Sequence, residues 1–534
     1  MDEFDYVVVG GGSAGCVVAS RLSEDASIRV CLLEAGDDGK GLLVRAPLGY
    51  AVGVPRGIRS WRYQTVPQPG LNGRRGFQPR GKTLGGSSAI NGMVYARGHR
   101  SDYDGWAARG NPGWCYEDVL PYFRKSENNE NFSDPRYHGK GGPLNIMHLR
   151  SPSRMNQIFL DACQAVGIPF NPDYNGRNHF GCWPVQVTQK DGERCSAAAA
   201  FIHPHLGRAN LQVLTGAHCK RLIASEGRVT GVEFWHGNEL RQVRARREVI
   251  VSGGAYGSPQ VLMTSGIGPA EHLRQLGIPV LHDLRGVGAN LQDHITAVLI
   301  YRSPGNYDTL GISARGLIQA AAAVREWGTR RTGIVTSNAA ESGAFLRTDP
   351  SVEAPDIELE FVVGIVDDHA RKQHLGHGYS LHVTLSRPMS SGTVTLASAD
   401  PRAMPMIDPG YFSHADDMPK LVKGTQIALK IMHAKPFDAF RGKTLTPFDR
   451  NDPTQIEQML RDTCDTEYHP CGTCRMGPDT DPMAVVDAQL RVKGIEGLRV
   501  ADASIMPAIT SNNTNAPSIM IGEKCADMIL RVNA

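Results

Sequence analysis

A short apolar run that leads directly into a cluster of glycines constrains the fold of this chain more than any other stretch. Residues 4–9 read FDYVVV, which is typical of a buried parallel strand, and residues 10–15 read GGGSAG. Helical apolar spacing follows, and a second apolar run over residues 28–33 ends at Glu34. This order of strand, glycine turn, helix, strand and acidic residue predicts a Rossmann-like dinucleotide-binding fold.

The residues of the glycine turn each have a defined place in such a fold. Gly10 permits the tight turn, Gly12 lets the backbone approach a pyrophosphate, and Gly15 lets the helix pack closely on the strand. The start of the helix offers amide donors to phosphates, and Glu34 accepts hydrogen bonds from an adenosine ribose. The turn alone does not distinguish FAD from NAD. The predicted contacts in this region are Gly10, Gly12, Ser13, Ala14, Gly15, Glu34 and Ala35.

A second glycine- and serine-rich segment, residues 81–98 (GKTLGGSSAINGMVYARG), lies well downstream of the first. Small residues packed this densely offer further backbone donors along an elongated cofactor, which favours FAD over NAD. An ordinary surface loop is the alternative interpretation. The predicted cofactor contacts here are Gly85, Gly86, Ser87, Asn91, Gly92, Met93 and Val94.

The composition is that of an ordinary globular protein, and it excludes some functions. The 534 residues include 57 basic and 54 acidic side chains, and a formal charge of +3 gives no electrostatic footprint for nucleic acid. The 11 cysteines are scattered and odd in number, which favours a reduced, intracellular protein over a disulfide framework. We predict no metal site.

Neither a targeting signal nor a membrane-spanning segment is recognisable in the sequence. The start of the chain lacks a basic region ahead of its first strand pattern. The longest alanine-rich piece, residues 318–324, is far shorter than the roughly 20 apolar residues that a membrane-spanning helix needs. We therefore expect a cytoplasmic protein, and peripheral attachment to the inner face of a membrane remains compatible with the sequence.

The middle of the chain has a different character from its two ends. Strand-like runs appear at residues 357–363, 380–386 and 392–396, where the glycine-rich motifs stop. We interpret this stretch as a substrate-side unit built on an antiparallel sheet. The predicted class is α/β, with a Rossmann-like FAD-binding domain and a discontinuous α+β substrate domain. The predicted boundaries are 1–297 for the FAD-binding region, 298–387 for the substrate-side unit and 388–534 for a C-terminal region that closes the FAD site.

Several motifs together resemble the glucose–methanol–choline (GMC) family of FAD oxidoreductases. Residues 5–36 and 81–98 match its nucleotide fingerprint and its first signature. Residues 254–269 (GAYGSPQVLMTSGIGP) resemble the second signature, and residues 286–294 (GVGANLQDH) also match. Near the C-terminus, residues 469–473 (HPCGT) follow the family's H-P-x-G-T pattern. The resemblance covers nearly the whole chain and implies an FAD enzyme that oxidises alcohols.

The resemblance also implies roles for residues of the C-terminal region. His469 would be the catalytic base, because histidine accepts and releases protons near neutral pH. The family's second catalytic position falls on Asn513, which can hydrogen-bond a substrate oxygen but cannot take its proton. A helix starting just after Asn513, with Pro517 in its first turn, would point its positive end at the flavin. The further implied cofactor contacts are Asp502, Ala503, Thr514, Asn515 and, through its backbone at the adenine end, Cys219.

Some details of the match leave alternatives open. Family members that bind flavin covalently use a histidine where this chain has Ile90, so we predict non-covalent FAD. Cys471 and Cys474 form a C-x-x-C pair, and buried inert thiols are favoured over redox or metal chemistry because no second ligand pair accompanies them. Glu341 either lines the substrate pocket or is a structural or solvated carboxylate, and the latter is favoured.

The resulting hypothesis is that a primary alcohol loses its proton to His469 and a hydride to flavin N5, giving an aldehyde. The motifs look most like bacterial dehydrogenases for aliphatic alcohols, polyethylene glycol, choline or sorbose, which pass electrons to a quinone or another non-oxygen acceptor. Two alternatives have the same fold but a different reaction: an alcohol oxidase that uses O₂, and a hydroxynitrile lyase whose flavin takes no part in the reaction. A flavin-binding protein without turnover is disfavoured by the intact His469 and Asn513.

Overall fold

A mixed sheet, here called the nucleotide-side sheet, carries the glycine turn. The computed structural model describes residues 2–305 and 309–532. The strands from the edge strand Leu211–Leu214 to the long strand Glu239–Val251 are parallel to their neighbours. The two strands beyond Glu239–Val251 are antiparallel to their neighbours. The predicted Rossmann-like fold is therefore confirmed. In spatial order the strands are Leu211–Leu214, Val30–Leu33, Asp2–Val9, Glu239–Val251, Arg228–His236 and Ala217–Ser225, with Leu498–Val500 beside Glu239–Val251.

The turn between the first strand and the first helix requires glycine for steric reasons. Gly10 has a φ of +104°, a conformation that residues with a side chain rarely adopt. A Cβ at Gly15 would lie 1.9 Å from the carbonyl oxygen of Gly10. Only glycine therefore lets the helix Ser13–Leu22 begin this close to the strand, which is the packing role that the sequence predicts for Gly15.

The C-terminal helix, Asn515–Val532, packs directly on this first helix, so the two ends of the chain meet. A Cβ at Gly522 would lie only 2.7 Å from the carbonyl oxygen of Ala14. The absence of a side chain at this position therefore sets the distance between the two helices. Pro517 lies in the first turn of the C-terminal helix, as the sequence predicts.

Polar contacts fix the register of the two helices. The guanidinium of Arg21 forms an ion pair with the fully buried carboxylate of Glu523, with 2.7 Å between Nη2 and Oε1. Ser126 also donates a hydrogen bond of 2.9 Å to this carboxylate. At the other end of the contact, the hydroxyl of Ser13 donates a hydrogen bond of 2.7 Å to Oδ1 of Asn515. Both helices consequently begin at the same place.

A second sheet, here called the substrate-side sheet, is antiparallel throughout, as predicted. It draws strands from several parts of the chain, some of them outside residues 298–387. The predicted domain boundaries at residues 297 and 387 stay a prediction. Residues 1, 306–308 and 533–534, which belong to the predicted domains, lie outside the described part of the chain. In spatial order the strands are Asp465–Thr466, Ile295–Arg302, Gly376–Leu385, Ile357–Val362, Ala340–Leu346 and Gly181–Pro184, with Gly311–Ile312 beside Gly376–Leu385.

The expectation that residues 392–396 belong to the substrate-side sheet is wrong. Thr393–Thr395 pairs instead with Met406–Asp408 in a separate hairpin. The reason is a close backbone approach, because a Cβ at Gly392 would lie 1.8 Å from the carbonyl oxygen of Asp408. Other short strands form small separate sheets: Tyr63–Gln64 pairs with Phe77–Gln78, Leu144–His148 with both Glu127–Asn129 and Gln186–Val187, Gln189–Lys190 with Glu193–Arg194, and Ile267–Gly268 with His282–Asp283.

Helices cover both sheets, among them Tyr116–Ser126 and Arg154–Ala165. Ser153 caps the second of these, its Oγ accepting a hydrogen bond from the amide of Met155. The further α-helices are Leu42–Arg45, Tyr50–Gly53, Arg100–Ala108, Gly254–Thr264, Ala270–Gln275, Ala314–Arg330, Asp417–Met432 and Pro453–Thr463.

Glu341 is a structural carboxylate. Its side chain is fully buried, and it accepts hydrogen bonds of 2.6 Å from the amide of Ser153 and from the hydroxyl of Ser337. It therefore fixes the start of the helix Arg154–Ala165, and it does not line the cavity described below.

Replacing Gly522 with alanine should destabilise the protein, because the added methyl group collides with the backbone of Ala14. Overpacking of this kind costs about 1–3 kcal/mol. Gly328 is the matched control, since it also lies inside a helix and a Cβ there meets nothing within 4 Å. Gly328→Ala should raise the free energy of unfolding by up to about 1 kcal/mol. Urea unfolding followed by circular dichroism measures both variants, and equal free energies would contradict the packing constraint.

Candidate active site

A cavity of about 670 Å³ connects the glycine turn with the C-terminal motifs. Its volume lies within the range of about 300–1,000 Å³ found for cofactor and ligand sites. Residues of both sheets line it, so it lies where the two halves of the fold meet. The predicted site residues that line it are Gly10, Gly12, Ser13, Ala14, Glu34, Ala35, Gly86, Ser87, Asn91, Gly92, Met93, Val94, Cys219, His469, Asp502, Ala503, Asn513, Thr514 and Asn515.

Gly15 and Gly85, which the sequence also predicts as contacts, lie behind this wall. Gly15 faces the backbone of Gly10 rather than the cavity. Gly85 has a φ of +92°, and its amide donates a hydrogen bond of 2.7 Å to the carbonyl of Gly11. Both residues therefore shape the two glycine-rich segments without facing the cavity themselves.

The carboxylate of Glu34 holds the glycine turn in place at one end of the cavity. Its Oε2 accepts a hydrogen bond of 2.9 Å from the amide of Gly11, and its Oε1 accepts one of 2.7 Å from the amide of Gly36. Burial raises the pKa of Glu34 to about 7. Nearby Cys219 lines the cavity, and burial raises the pKa of its thiol to about 12, so the thiol is uncharged.

The helices Ser13–Leu22, Gly254–Thr264 and Asn515–Val532 all begin at the wall of this cavity. Helix N-termini present unpaired amides and a partial positive charge, which bind phosphate groups. Gly254 has a φ of +77°, and a Cβ there would meet no atom within 4 Å, so the backbone is open to a ligand. These features fit the pyrophosphate of FAD.

Asp502 organizes this part of the wall through bonds to protein donors. Its carboxylate accepts hydrogen bonds of 2.8 Å from the amide of Gly254, 2.5 Å from the hydroxyl of Ser258 and 2.7 Å from the amide of Ser504. The side chain therefore fixes the start of one helix and the turn that follows the strand Leu498–Val500. A direct contact between Asp502 and the cofactor stays a prediction.

The segment from His469 to Cys474 crosses from one sheet to the other. At its start, the amide of His469 donates a hydrogen bond of 2.9 Å to Oδ1 of Asp293, which lies just before a strand of the substrate-side sheet. At its end, the amide of Cys474 donates one of 2.8 Å to the carbonyl of Ser504, beyond a strand of the nucleotide-side sheet. Gly472, between them, has a φ of +88°. The segment is thus held at both ends.

Two imidazoles meet in the buried interior of the site. The Nδ1 atoms of His469 and His294 are 3.0 Å apart. On the other side of the His469 ring, its Nε2 lies 3.3 Å from Nδ2 of Asn513. His469 and Asn513, which the sequence predicts as a catalytic pair, are therefore brought together at the cavity wall.

The hydrogen-bond pattern decides which nitrogen of His469 carries the proton. The Nε2 of His294 is 3.0 Å from the carbonyl oxygen of Ser386, which can only accept, so this nitrogen carries hydrogen. Burial lowers the pKa of His294 to about 4, so its other nitrogen, Nδ1, is an acceptor. Nδ1 of His469 must therefore be the donor. Burial, with His294 and Arg80, also holds the pKa of His469 well below its usual range, so its Nε2 keeps a lone pair that accepts the contact from Nδ2 of Asn513.

Sequence reasoning did not assign roles to Asp293 and His294, although both lie in the motif GVGANLQDH. Asp293 accepts hydrogen bonds from Tyr411 (2.5 Å), Thr466 (2.6 Å) and the amide of His469. Burial raises the pKa of Asp293 to about 6. The motif could have indicated that these two residues are functional, but only the folded structure shows that they lie beside His469.

The C-x-x-C pair is confirmed as a pair of buried free thiols. Cys471 and Cys474 are fully buried and not joined by a disulfide. Burial raises the pKa of both thiols well above the usual range, so they remain uncharged and unreactive.

No helix among residues 2–305 and 309–532 has the length and apolarity needed to cross a membrane.

Comparison with protein families agrees with this geometry over most of the chain. The N-terminal and C-terminal profiles described as GMC oxidoreductase match residues 4–296 and 388–522. The chain is 40% identical over 531 residues to "Alcohol dehydrogenase [acceptor]" of Pseudomonas putida, covering 99% of this chain and 96% of that protein. It is 41% identical over 532 residues to "Oxygen-dependent choline dehydrogenase" of Rhizobium rhizogenes, with the same coverage.

Solved structures share the fold over their whole length. Pyridoxine 4-oxidase from "Mesorbium loti" superimposes with a TM-score of 0.89 at 32% identity, covering 99% of each chain. An Aspergillus oryzae formate oxidase variant gives a TM-score of 0.92 at 28% identity, covering 99% of this chain and 98% of the other.

Proposed function

The chain belongs to the GMC oxidoreductase family, and from that premise we propose that it oxidises a primary alcohol to an aldehyde with His469 as the base. The enzyme is a flavoprotein whose cofactor is FAD. The observation that carries the proposal is the unprotonated Nε2 of His469, which lies 3.3 Å from Nδ2 of Asn513 at the cavity wall. An alcohol oxygen bound there would meet both a proton acceptor and a hydrogen-bond donor.

The roles of the two side chains follow from their chemistry. When bound, FAD supplies the acceptor for the hydride that leaves the carbinol carbon. Nε2 of His469 takes the hydroxyl proton, and Nδ2 of Asn513 donates a hydrogen bond to the developing alkoxide oxygen. His294 keeps the other nitrogen of His469 engaged, and Asp293 holds its backbone, so the ring keeps one orientation. The alcohol thereby loses one proton and one hydride, which leaves the aldehyde.

The residues at the cavity wall also support non-covalent FAD. Ile90 lines the cavity at the position where covalent members of the family carry histidine, and its side chain has no nucleophilic atom. Acid precipitation of the purified protein should therefore release the yellow cofactor into the supernatant. Absorbance of the redissolved pellet measures this, and flavin remaining with the pellet would refute non-covalent binding.

The His469→Gln variant tests the proposed base most directly. Glutamine keeps a polar side chain of similar reach but cannot accept a proton at neutral pH, so anaerobic reduction of the flavin by an alcohol should slow by about 10²–10⁴-fold. Asn513→Ala should have a smaller effect, since it removes one hydrogen bond. Stopped-flow absorbance measures both rates, and wild-type reduction by His469→Gln would sink the proposal.

The pH dependence of the same rate provides an independent check on the base. Because the pKa of His469 is lowered, its neutral, active form persists at lower pH than an ordinary histidine with a pKa of about 6.5. The rate of flavin reduction should therefore stay level as the pH falls from about 8 through 6.5. FAD absorbance must be retained in every sample, which separates loss of chemistry from loss of cofactor.

We further propose that a quinone or another non-oxygen compound accepts the electrons. This rests on similarity to the Pseudomonas putida alcohol dehydrogenase [acceptor]. The alternative is an oxidase, which is favoured by the oxygen-dependent relative and by the oxidases among the similar structures. Flavin reduced anaerobically should be reoxidised much faster by a soluble quinone than by air-saturated buffer. Faster reoxidation by oxygen would favour the oxidase instead.

A further inference from the structure

Two buried acidic side chains face the cavity beside the proposed base, and the sequence reasoning assigned a role to neither. Glu360 lies on the strand Ile357–Val362, directly opposite His382 on the neighbouring strand. Glu467 lies just after the strand Asp465–Thr466 at the edge of the same sheet. All of these side chains line the cavity, and each is more than nine-tenths buried.

Glu467 contacts His382, and Glu360 is connected to the proposed base through Asn513. Oε2 of Glu467 lies 3.4 Å from Nδ1 of His382. Oε1 of Glu360 accepts a hydrogen bond of 3.4 Å from Nδ2 of Asn513, the same atom that lies 3.3 Å from Nε2 of His469. Only the side chain of Asn513 therefore separates Glu360 from the nitrogen that is proposed to take the hydroxyl proton.

Glu360 has no cationic partner of its own. Burial alone would lower the pKa of His382, but Glu467 and Glu360 raise it above its usual value, so this ring favours its cationic form. The imidazolium pairs with Glu467, and Glu360 forms no ion pair within the described chain. Burial, with the charge of Glu467, raises the pKa of Glu360 to about 7, so a cation bound beside it would shift this group towards the carboxylate.

Buried polar atoms without partners point to a ligand that forms hydrogen bonds. Oδ1 of Asn513, which accepts hydrogen bonds, and Nε2 of His382, which donates them in the cationic ring, are buried and make no hydrogen bond within the described chain. Protein interiors rarely leave such atoms unsatisfied. A ligand with N–H donors next to its hydroxyl group would bond to the carboxylates of Glu360 and Glu467 and to the amide oxygen of Asn513.

We propose that Glu360, Glu467 and the amide oxygen of Asn513 form a subsite for a protonated amine, so that the preferred substrate is an alcohol bearing an N–H ammonium group. The inference rests on the proposed alcohol oxidation and names its substrate class. A quaternary ammonium group carries the same charge but has no N–H to donate, so it leaves the buried acceptors unpaired. The subsite therefore discriminates by hydrogen bonding as well as by charge.

Ethanolamine and propanol test the subsite because they have the same number of heavy atoms and differ in the ammonium group. In anaerobic flavin reduction by the holoenzyme, the second-order rate constant for ethanolamine should exceed that for propanol. Glu360→Gln and Glu467→Gln should each lower this ratio by about 10–100-fold, because a hydrogen bond to a charged group is lost. Choline should react more slowly than ethanolamine.

Glu358→Gln is the matched control. Glu358 lies two residues before Glu360 on the same strand and is buried, but it does not line the cavity. Burial raises the pKa of Glu358 well above its usual value, so glutamine replaces a neutral side chain there. The ratio should be unchanged in this variant, and an equal fall in all three variants would overturn the subsite.

Propylamine, which has no hydroxyl group, separates binding from chemistry. Calorimetric titration should detect its binding to the holoenzyme and a weakening of at least about tenfold in Glu467→Gln. If propanol reduces the flavin as well as ethanolamine and no variant changes the ratio, the subsite is refuted while alcohol oxidation stands. If no alcohol reduces the flavin, the proposed function fails, and propylamine binding alone decides on the subsite.

Discussion

The packing of the last helix on the first is the constraint on which the rest of the structure depends. Ser13 and Asn515 are 502 residues apart in the sequence, and their side chains share a hydrogen bond. The contact needs glycine at position 522, and it encloses the ion pair between Arg21 and Glu523. Because both helices begin at the cavity, their contact brings Ser13 of the first helix and Asn513, just before the last one, to the wall of the same cavity. The chain between these two helices therefore leaves the cavity and comes back to it.

Sequence patterns were sufficient wherever neighbouring residues determine the structure. The strand, glycine turn and helix at the start of the chain follow from backbone sterics, and the antiparallel sheet follows from strand-like runs. The run at residues 392–396 was assigned to the wrong sheet because its partner depends on a close approach between Gly392 and Asp408. Local propensity contains no information about such a distant contact.

The same limit applies to the candidate site. His469 and Asn513 were predictable because each lies in a recognisable motif. The link between His469 and His294 was not, because it joins residues 175 positions apart through a single pair of nitrogen atoms. Nor was the juxtaposition of Glu360 and His382, which depends on the register of two strands. Shifting that register by one residue would turn every side chain to the opposite face.

The doubly anchored segment from His469 to Cys474 has a mechanical consequence. It is tied to Asp293 near one sheet and to Ser504 near the other, so it acts as a strap across the two layers. A hinge motion between the two sheets would have to break one of these hydrogen bonds, and it would move the imidazole of His469 away from Asn513. The segment therefore holds this ring in one position relative to both sheets.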